Sequence, residues 1–316
     1  MLLVAGEALF DMMGHRTEAG EAFLPVVGGS PLNVAMGLAR LGRRTAFLTK
    51  LSTDFFGDRL DAFMAAEGID RRHVVRAPGL QTTLAFVALG ADGQPVYSFY
   101  GTGAADRSMT EADLPARLDP DVSAIHFGSI ALAQEPTAGT LDRFMARMAD
   151  DKVISLDPNI RPSIIPDRRR WLDRFAGQLA RADIVKASAE DVAWIEGEGA
   201  DLETVARRWS RAGPAFALIT DGGRGVHVAR GGQHVFMPSL RVAVSDTIGA
   251  GDTFQAAILA RLDEQGLLAK PTLRMLSDDR LADAIRFAIA AAAITCTRRG
   301  ADLPRRDEVD AMLLAA

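Results

Sequence analysis

The residues with the clearest chemical potential lie near the C-terminal end, in the run Asp246–Phe254 (DTIGAGDTF). Two glycines and an alanine come just before Asp252, and the apolar residues beyond it recur at helical spacing, which predicts a loop leading into a helix N-terminus. Free backbone N–H groups and the helix dipole favour an anion there, and the missing side chains of Gly249 and Gly251 let it approach closely. The run therefore predicts a phosphate site with a carboxylate beside it.

A carboxylate next to a phosphate site suits phosphoryl transfer to an alcohol, because the alcohol must lose a proton when it attacks. The run lacks the Gly-Lys-Ser/Thr of a Walker loop and the Gly-x-Gly-x-x-Gly of a dinucleotide site. Taken alone, it is also compatible with a glycine turn capped by Asp252. The rest of the chain has to separate these two interpretations.

The composition is that of an ordinary globular protein. The chain has 316 residues, of which 48% are hydrophobic and 24% charged, enough for one large domain or two small ones. A net charge of −5 without a basic stripe argues against nucleic acid or an anionic membrane as the main partner. The single cysteine, Cys296, excludes an intrachain disulfide and predicts a reducing cytoplasm. The apolar stretch Ala288–Cys296 is too short to span a bilayer.

Strand and helix patterns alternate along most of the chain, which predicts an α/β fold with a mostly parallel sheet and helices on both faces. Apolar runs predict strands at 2–5, 45–51, 124–127, 153–156, 184–186 and 217–220. Periodic segments predict helices from Ser30 to about 41 and near 58–67, 137–149, 167–181 and 201–212. The runs 84–89 and 96–100 flank the turn Ala91–Gln94 and predict a hairpin that leaves the main sheet as a cover over the site.

Polar residues cluster where these strands end. They are Asp11, Asp157-Pro158-Asn159 with Arg161, Lys186 and Ser188 with Asp191, and Thr220 to Gly225. In an open parallel sheet the carboxyl ends of the strands form the ligand edge, so we expect these residues to converge.

Two motifs carry a resemblance to a known family: Gly28-Gly29-Ser30-Pro31-Leu32-Asn33 near the start and Asp246–Phe254 near the end. With them the chain resembles the ribokinase-like (pfkB) carbohydrate kinases from Val4 to about Asp302. Softer matches are typical of bacterial fructokinases: Gly6-Glu7, Tyr97 to Tyr100, Gly103 to Arg107, Phe127 to Ile130, and Asp157 to Pro162. The resemblance implies a single domain over 1–316, a three-layer α/β sandwich with a mostly parallel central sheet and a small β lid built from about 11–27 and 83–102.

The resemblance also implies roles for the sugar end of the site. Asp252 is the base that takes the proton of the sugar hydroxyl, while the backbone at Gly249, Ala250 and Gly251 holds the transferring phosphoryl group. The sugar-binding positions are Asp11, Gly28, Gly29, Asn33, Phe99 and Arg161. From their residue types alone, Asp11 could equally be a turn or cap residue and Asn33 a helix-start residue.

At the nucleotide end the implied ligands are ATP and Mg²⁺. The matching positions are Lys186, Ser188, Asp191, Thr220, Gly222, Gly225 and Ile289. Ser188 and Asp191 stand where the family carries Asn-x-x-Glu, and Ile289 stands where relatives often have a polar residue near the adenine. The resemblance further implies K⁺ bound by backbone carbonyls of Asp246, Ile248, Cys296, Arg299 and Ala301. A structured loop without an ion, and an ordinary hairpin turn at Thr220 to Gly225, are the competing interpretations.

The predicted reaction is ATP-dependent phosphorylation of a primary hydroxyl, with fructose converted to fructose 6-phosphate, by a cytoplasmic homodimer. The alternatives are a 2-keto-3-deoxygluconate kinase or another pfkB sugar kinase, and a sugar- or nucleotide-binding protein without catalysis. Arg161 and Arg107 could face a sugar acid, although Arg107 could also be a solvated loop charge. The five histidines show no metal spacing, and Cys296 and the three tryptophans are interpreted as packing residues.

Overall fold

A computed structural model describes residues 1–18, 20–89 and 95–315 of the chain. The strands are β1 (Leu2–Ala5), β2 (Leu9–Thr17), β3 (Gly20–Gly28), β4 (Thr45–Ser52), β5 (Asp70–Ala77), β6 (Leu84–Leu89), β7 (Pro95–Tyr100), β8 (Ala124–Gly128), β9 (Val153–Asp157), β10 (Ile184–Ser188), β11 (Phe216–Thr220), β12 (Gly225–Arg230) and β13 (Gln233–Pro238). The helices are α1 (Ser30–Arg40), α2 (Phe55–Ala66), α3 (Thr137–Met148), α4 (Arg168–Arg181), α5 (Ala189–Glu196), α6 (Leu202–Trp209), α7 (Ala250–Glu264), α8 (Lys270–Arg274), α9 (Asp278–Cys296) and α10 (Arg306–Ala315).

The large sheet has the strand order β13-β12-β11-β10-β9-β8-β1-β4-β5. All pairs from β11 to β5 are parallel, and β12 and β13 add two antiparallel strands at one edge. The predicted mostly parallel sheet is therefore confirmed. Its parallel strands end at one common edge, as the clustering of polar residues indicated.

Alternate residues of the central strands enter two separate cores. In β1, Leu2 and Val4 pack with helices α1, α2, α7 and α9, whereas Leu3 and Ala5 pack with α3 to α6 on the opposite face. A sheet buried on both faces is what near-continuous apolar strands predict. The three layers, helices on either side of the sheet, confirm the predicted α/β sandwich.

A second sheet of four strands, in the order β3-β2-β6-β7, stands apart from the large one. Strands β6 and β7 pair antiparallel, as the hairpin pattern predicted; the turn Ala91–Gln94 lies outside the described residues. The apolar pattern did not predict strand β3, because the segment 18–27 reads as short and mixed; only the family resemblance implied β structure there. It pairs with β2 over the full length of both strands, and its side chains are mostly exposed or half-buried.

Some predicted boundaries and environments need correction. Helix α2 begins at Phe55 rather than near 58, because the Asp54 carboxylate accepts the Gly57 amide hydrogen and caps the helix. Cys296, predicted to be a core residue, is half-buried and lines a cavity. The packing role of the tryptophans is confirmed, since Trp171 stacks on Phe175 and meets the edge of Trp194.

None of the helices within residues 1–18, 20–89 and 95–315 combines the length and apolarity needed to cross a membrane.

Candidate active site

A cavity of about 1180 Å³ opens at the carboxyl ends of the parallel strands, between the large sheet and the small one. The predicted site residues that line it are Asp11, Gly29, Asn33, Phe99, Arg161, Lys186, Ser188, Asp191, Thr220, Gly222, Gly225, Ile248, Gly249, Ala250, Gly251, Asp252, Ile289 and Cys296. Gly28, Asp246, Arg299 and Ala301 are not part of the lining. The expected convergence of strand ends and glycine loops is thus what the chain forms.

The loop before α7 has the geometry of an anion site. Gly249 takes a left-handed φ of 78°, and a Cβ there would lie 2.8 Å from the side chain of Ala301, so this position requires glycine. Thr253 donates the first helical hydrogen bond, to the Gly249 carbonyl. The amide of Ala250 is used within the loop by the Thr247 carbonyl, so the amides of Gly251 and Asp252 are the ones available at the helix N-terminus.

A buried ammonium group stands beside this loop. Lys186 Nζ lies 2.9 Å from Asp157 Oδ2, and a Cβ on Gly251 would come within 2.9 Å of the same nitrogen. Burial works against the charge on Lys186, but the carboxylates of Asp157, Asp191 and Asp252 outweigh it and raise the pKa of the ammonium. Burial also raises the pKa of Asp157 to about 6, against the attraction of Lys186. The pair is ionised at neutral pH and puts a fixed positive charge next to the loop.

The Asp252 carboxylate is held by two donors from the first turn of α1. Ser30 Oγ donates to Asp252 Oδ1 at 2.6 Å, and Asn33 Nδ2 donates to Asp252 Oδ2 at 2.9 Å. Only 7% of Asp252 is exposed. The two glycine motifs, distant in sequence, therefore meet at one carboxylate.

Close approach around α1 depends on Gly28 and Gly29. A Cβ on Gly28 would lie 2.2 Å from Asp11 Oδ2, and one on Gly29, whose φ is 102°, would lie 2.8 Å from the Glu7 carbonyl oxygen. Gly29 needs to be glycine, because its φ is positive and its neighbour is backbone; at Gly28 a Cβ would displace the Asp11 carboxylate. Gly28 does not line the cavity itself, but the absence of a side chain there lets the Asp11 carboxylate pack against the backbone.

Asp11, Arg161 and Tyr97 form the polar and aromatic wall across the cavity from α7. Burial raises the pKa of Asp11 to about 6; the positive charge of Arg161 lowers it and the negative charge of Asp252 raises it further. Arg161 Nη1 donates to the side chain and carbonyl of Asn159, and its guanidinium carbon lies 5.6 Å from the centre of the Tyr97 ring. Tyr97 stacks on Phe99, so two rings face the same space.

Ser188 and Asp191 form a helix cap rather than a free pair of polar groups. Asp191 Oδ2 accepts hydrogen bonds from the amide and hydroxyl of Ser188, and the Ser188 hydroxyl in turn accepts the Asp191 amide. The other carboxylate oxygen accepts the amide of Ile160. Both oxygens of Asp191 are thus engaged in holding α5 and the segment after β9.

The remaining predicted nucleotide positions lie together at the far end of the cavity. Thr220 ends β11, and Gly222 and Gly225, with φ of 51° and 145°, shape the turn into β12. A Cβ on Gly225 would lie 2.2 Å from the Met237 carbonyl oxygen. Ile289 is 8% exposed and presents an apolar surface with Ala292 and Ala293.

The predicted cation positions surround the loop before α7. The Asp246 carboxylate accepts the amides of Ile248 and Gly300 at 3.0 and 2.9 Å, which ties that loop to the segment after α9. The Cys296 carbonyl accepts the amides of Ser245 and Asp246. Arg299 is exposed, and Ala301 packs against Gly249.

A family model for pfkB family carbohydrate kinases matches residues 1–308. The chain belongs to the pfkB family of carbohydrate kinases. This pfkB kinase is 41% identical over 282 residues to a fructokinase from Rhizobium leguminosarum bv. trifolii, which covers 89% of the chain and 85% of that protein.

Two solved structures extend the likeness of this pfkB kinase to the whole fold. The crystal structure of a fructokinase from Xylella fastidiosa with bound ATP matches with a TM-score of 0.91 and 30% identity, over 99% of this chain and 98% of that one. A fructokinase from Vibrio cholerae O395, in a form with fructose, ADP and calcium ion bound, matches with a TM-score of 0.86 and 26% identity, over 99% and 98% of the two chains. The predicted ribokinase-like fold and ATP-dependent carbohydrate kinase activity are confirmed.

The cavity of this pfkB kinase also contains residues to which the sequence analysis assigned no role in the site, although all but Glu190 lie in motifs that it named. They are Ser30, Glu7, Tyr97, Ser129 and Glu190. Burial raises the pKa of Glu7 to about 7, although the amide of Ala131 donates to its carboxylate. Ser30 lies inside a recognised motif and Glu190 just after a recognised strand, so position pointed to both. Their side-chain partners were not visible in the sequence.

Proposed function

We propose that this kinase transfers the γ-phosphoryl group of ATP to a primary hydroxyl of fructose, giving fructose 6-phosphate. The observation that carries the proposal is the placement of Asp252 and Lys186 at the start of α7, directly across the cavity from Asp11 and Arg161. The proposed base, the proposed phosphate site and the residues proposed to bind the sugar hydroxyls therefore line the same cavity. The fructokinase relatives support fructose as the acceptor.

In this proposal the chain supplies a base and a positive environment. Asp252 takes the proton of the sugar hydroxyl as that oxygen bonds to phosphorus and the bond from phosphorus to the ADP oxygen breaks. Lys186 and the amides of Gly251 and Asp252 stabilise the charge on the transferring group, with Gly249 and Ala250 shaping the loop. Asp11, Asn33, Gly29 and Arg161 hold the hydroxyls, and Phe99 with Tyr97 forms the apolar wall.

At the nucleotide end, Thr220, Gly222 and Gly225 would meet the phosphates and ribose, and Ile289 would pack against the base. Mg²⁺ keeps several waters and binds chiefly through substrate phosphates, where it neutralises their charge. Because both oxygens of Asp191 are engaged in the cap, Ser188 and Asp191 do not fit direct ligation. Glu190, an exposed carboxylate on the same wall, fits contact with a metal-bound water better.

A monovalent cation, K⁺, would bind to carbonyls of Asp246, Ile248, Cys296, Arg299 and Ala301. The Asp246 carboxylate supports this because it fixes the two carbonyl-bearing segments next to each other. A cation there would stiffen the loop whose amides hold the phosphoryl group. Exchange of K⁺ for Na⁺ should then lower kcat by several-fold, and equal rates in the two salts would contradict it.

We infer that the small sheet is a β lid on a single domain and that its outer face joins two chains of a cytoplasmic homodimer. Phe23, Phe86 and Tyr100 stack edge to face on that side, and Phe23 and Tyr100 are 47% and 65% exposed. Exposed aromatic patches of this kind mark association surfaces. Replacing both Phe23 and Tyr100 by Ser should shift sedimentation from dimer to monomer; an unchanged dimer would place the contact elsewhere.

Competition between two acceptors tests the substrate. We expect kcat/KM for fructose to exceed that for 2-keto-3-deoxygluconate by more than ~10-fold, about 1.4 kcal/mol of discrimination. The acid is the second candidate, because it needs a cation facing its carboxylate and Arg161 lines the cavity; Arg161 suits both sugars and does not separate them. The amounts of the two sugar phosphates formed when both sugars are present at known concentrations measure the ratio. A preference for the acid would change the substrate, and the absence of turnover with every sugar tested would favour a binding protein.

A further inference from the structure

The base proposed for this reaction has its orientation set by another part of the chain. A carboxylate at the start of a helix can still rotate about its own side-chain bonds. In Asp252 each oxygen is occupied by a separate donor, Ser30 on Oδ1 and Asn33 on Oδ2, so the plane of the carboxylate is fixed before any ligand arrives.

Ser30 and Asn33 differ in the hydrogen-bonding groups that remain after each has donated to Asp252. The Asn33 amide has a second N–H and a carbonyl oxygen, and it lines the sugar end of the cavity. The Ser30 hydroxyl has a single proton, which it gives to Asp252. Asn33 can therefore serve the sugar as well as the base, whereas the donor capacity of Ser30 is spent on the base.

The backbone under Ser30 leaves this donor little freedom. Ser30 is the first residue of α1 and follows Gly29, whose φ of 102° brings the turn against the carbonyl of Glu7. Pro31 follows in the first turn of the helix and fixes the backbone on the other side. The hydroxyl is therefore presented to Asp252 from a constrained turn rather than from a mobile loop.

We propose that Ser30 is a positioning residue for catalysis. Its hydrogen bond to Oδ1 fixes the orientation of the Asp252 carboxylate, so that a free lone pair of the carboxylate points to the sugar hydroxyl. The proposal rests on Asp252 being the base of the proposed function. Hydrogen bonds to charged groups are the stronger ones, and small errors in the placement of a reacting group lower the rate of the chemical step. Ser30 then affects the transition state more than substrate binding.

The first test is Ser30→Ala assayed by ADP release with fructose and ATP. We expect kcat to fall at least ~10-fold while KM for both substrates stays within about 2-fold, since only the orientation of the base is lost. The matched control is Ser277→Ala, which removes the cap hydroxyl of α9 outside the active-site cavity. That variant should lose stability in thermal unfolding and keep kcat, which separates a folding effect from a catalytic one. Unchanged kcat in Ser30→Ala would overturn the proposal.

A double-mutant cycle with Asp252→Asn separates this proposal from the one it rests on. Asp252→Asn alone should lower kcat at least ~10²-fold. In that background Ser30→Ala should change kcat by less than about 2-fold, because no base remains to be aimed. Near-full turnover in Asp252→Asn would remove the base assignment itself. A full further loss on adding Ser30→Ala would show that Ser30 acts independently of Asp252, and would overturn the positioning role alone.

Discussion

The two walls of the cavity are built on different principles. On the large sheet the charged groups are fixed by short contacts: Lys186 pairs with Asp157 at 2.9 Å, and Asp252 is held at both oxygens. On the small sheet Asp11 is governed by burial and by the charges of Arg161 and Asp252. The wall proposed to perform the chemistry is organised in advance, and the wall proposed to recognise the sugar leaves polar capacity for the ligand.

This difference is consistent with the two environments. The large sheet is covered by helices on both faces, where a charge without a partner is costly. The small sheet has one face toward the cavity and one with exposed aromatic rings, so its strands are less constrained by packing. Three predictions test whether the walls differ as described.

The largest effect is expected for Lys186→Met in the large-sheet wall. The change leaves Asp157 buried without its partner, which should lower the free energy of unfolding by about 3–5 kcal/mol. It also removes the charge beside the anion loop and should lower kcat/KM for ATP more than ~10²-fold. Chemical unfolding and ADP release measure the two losses.

Lys270→Met is the matched control, since Lys270 pairs with the buried Asp183 outside the active-site cavity. It should reduce stability and leave the KM for ATP unchanged. If Lys186→Met behaved like this control, Lys186 would be a structural residue only.

A smaller effect is expected from the pH dependence of sugar recognition. The pKa of Asp11 is raised to about 6, so its carboxylate is ionised above that pH and becomes protonated below it. Protonation removes a charge-assisted acceptor for the sugar hydroxyls, and kcat/KM for fructose should fall about 10-fold between pH 7 and pH 5.

Two variants test whether Asp11 causes that decline, because the pKa of Glu7, at about 7, and that of Asp157, at about 6, also lie in the range. In Asp11→Asn the decline between pH 7 and pH 5 should flatten. In Glu7→Gln it should persist. A decline that persists in Asp11→Asn and flattens in Glu7→Gln would assign the pH dependence to Glu7, and Asp11 would then not be the group that controls sugar recognition.

The smallest effect is expected in hydrogen exchange. Amides of β6 and β7 should exchange about 3-fold more slowly when fructose binds, because a lid must close over the sugar to keep water from the phosphoryl group. Amides of β8 and β9 should not change. If fructose slowed exchange in β6 and β7 no more than in β8 and β9, the small sheet would be as rigid as the large one and would not act as a lid.

The sequence was sufficient for the parts of the molecule that depend on local pattern. Apolar runs such as 153–156 predicted the parallel strands, and the glycines before Asp252 predicted the start of α7. Local pattern did not show strand β3, which only the family resemblance implied, because its exposed side chains carry little apolar alternation and pairing with β2 decides its structure.

The candidate site was harder to predict wherever a side chain has a distant partner. Asp191 matched a family position, but its engagement with Ile160, 31 residues away, cannot be seen in the sequence. The same holds for Ser30, whose partner is 222 residues further along the chain. The family resemblance placed Asp191 at the site, and Ser30 lies inside a motif that carries the resemblance; only the fold shows which of their atoms remain available for a ligand.

That long separation has a consequence for how the enzyme is made. Contacts between residues more than 200 positions apart form only after most of the chain has been synthesised, and such non-local contacts are slow to form. Residues 28–33 emerge from the ribosome early and can pair with β2 and pack on β1, but Ser30 and Asn33 lack their partner Asp252 until α7 has followed and packed. A truncated chain that lacks α7 lacks Asp252, the proposed base, so the proposed sugar phosphorylation becomes possible only near the end of biosynthesis.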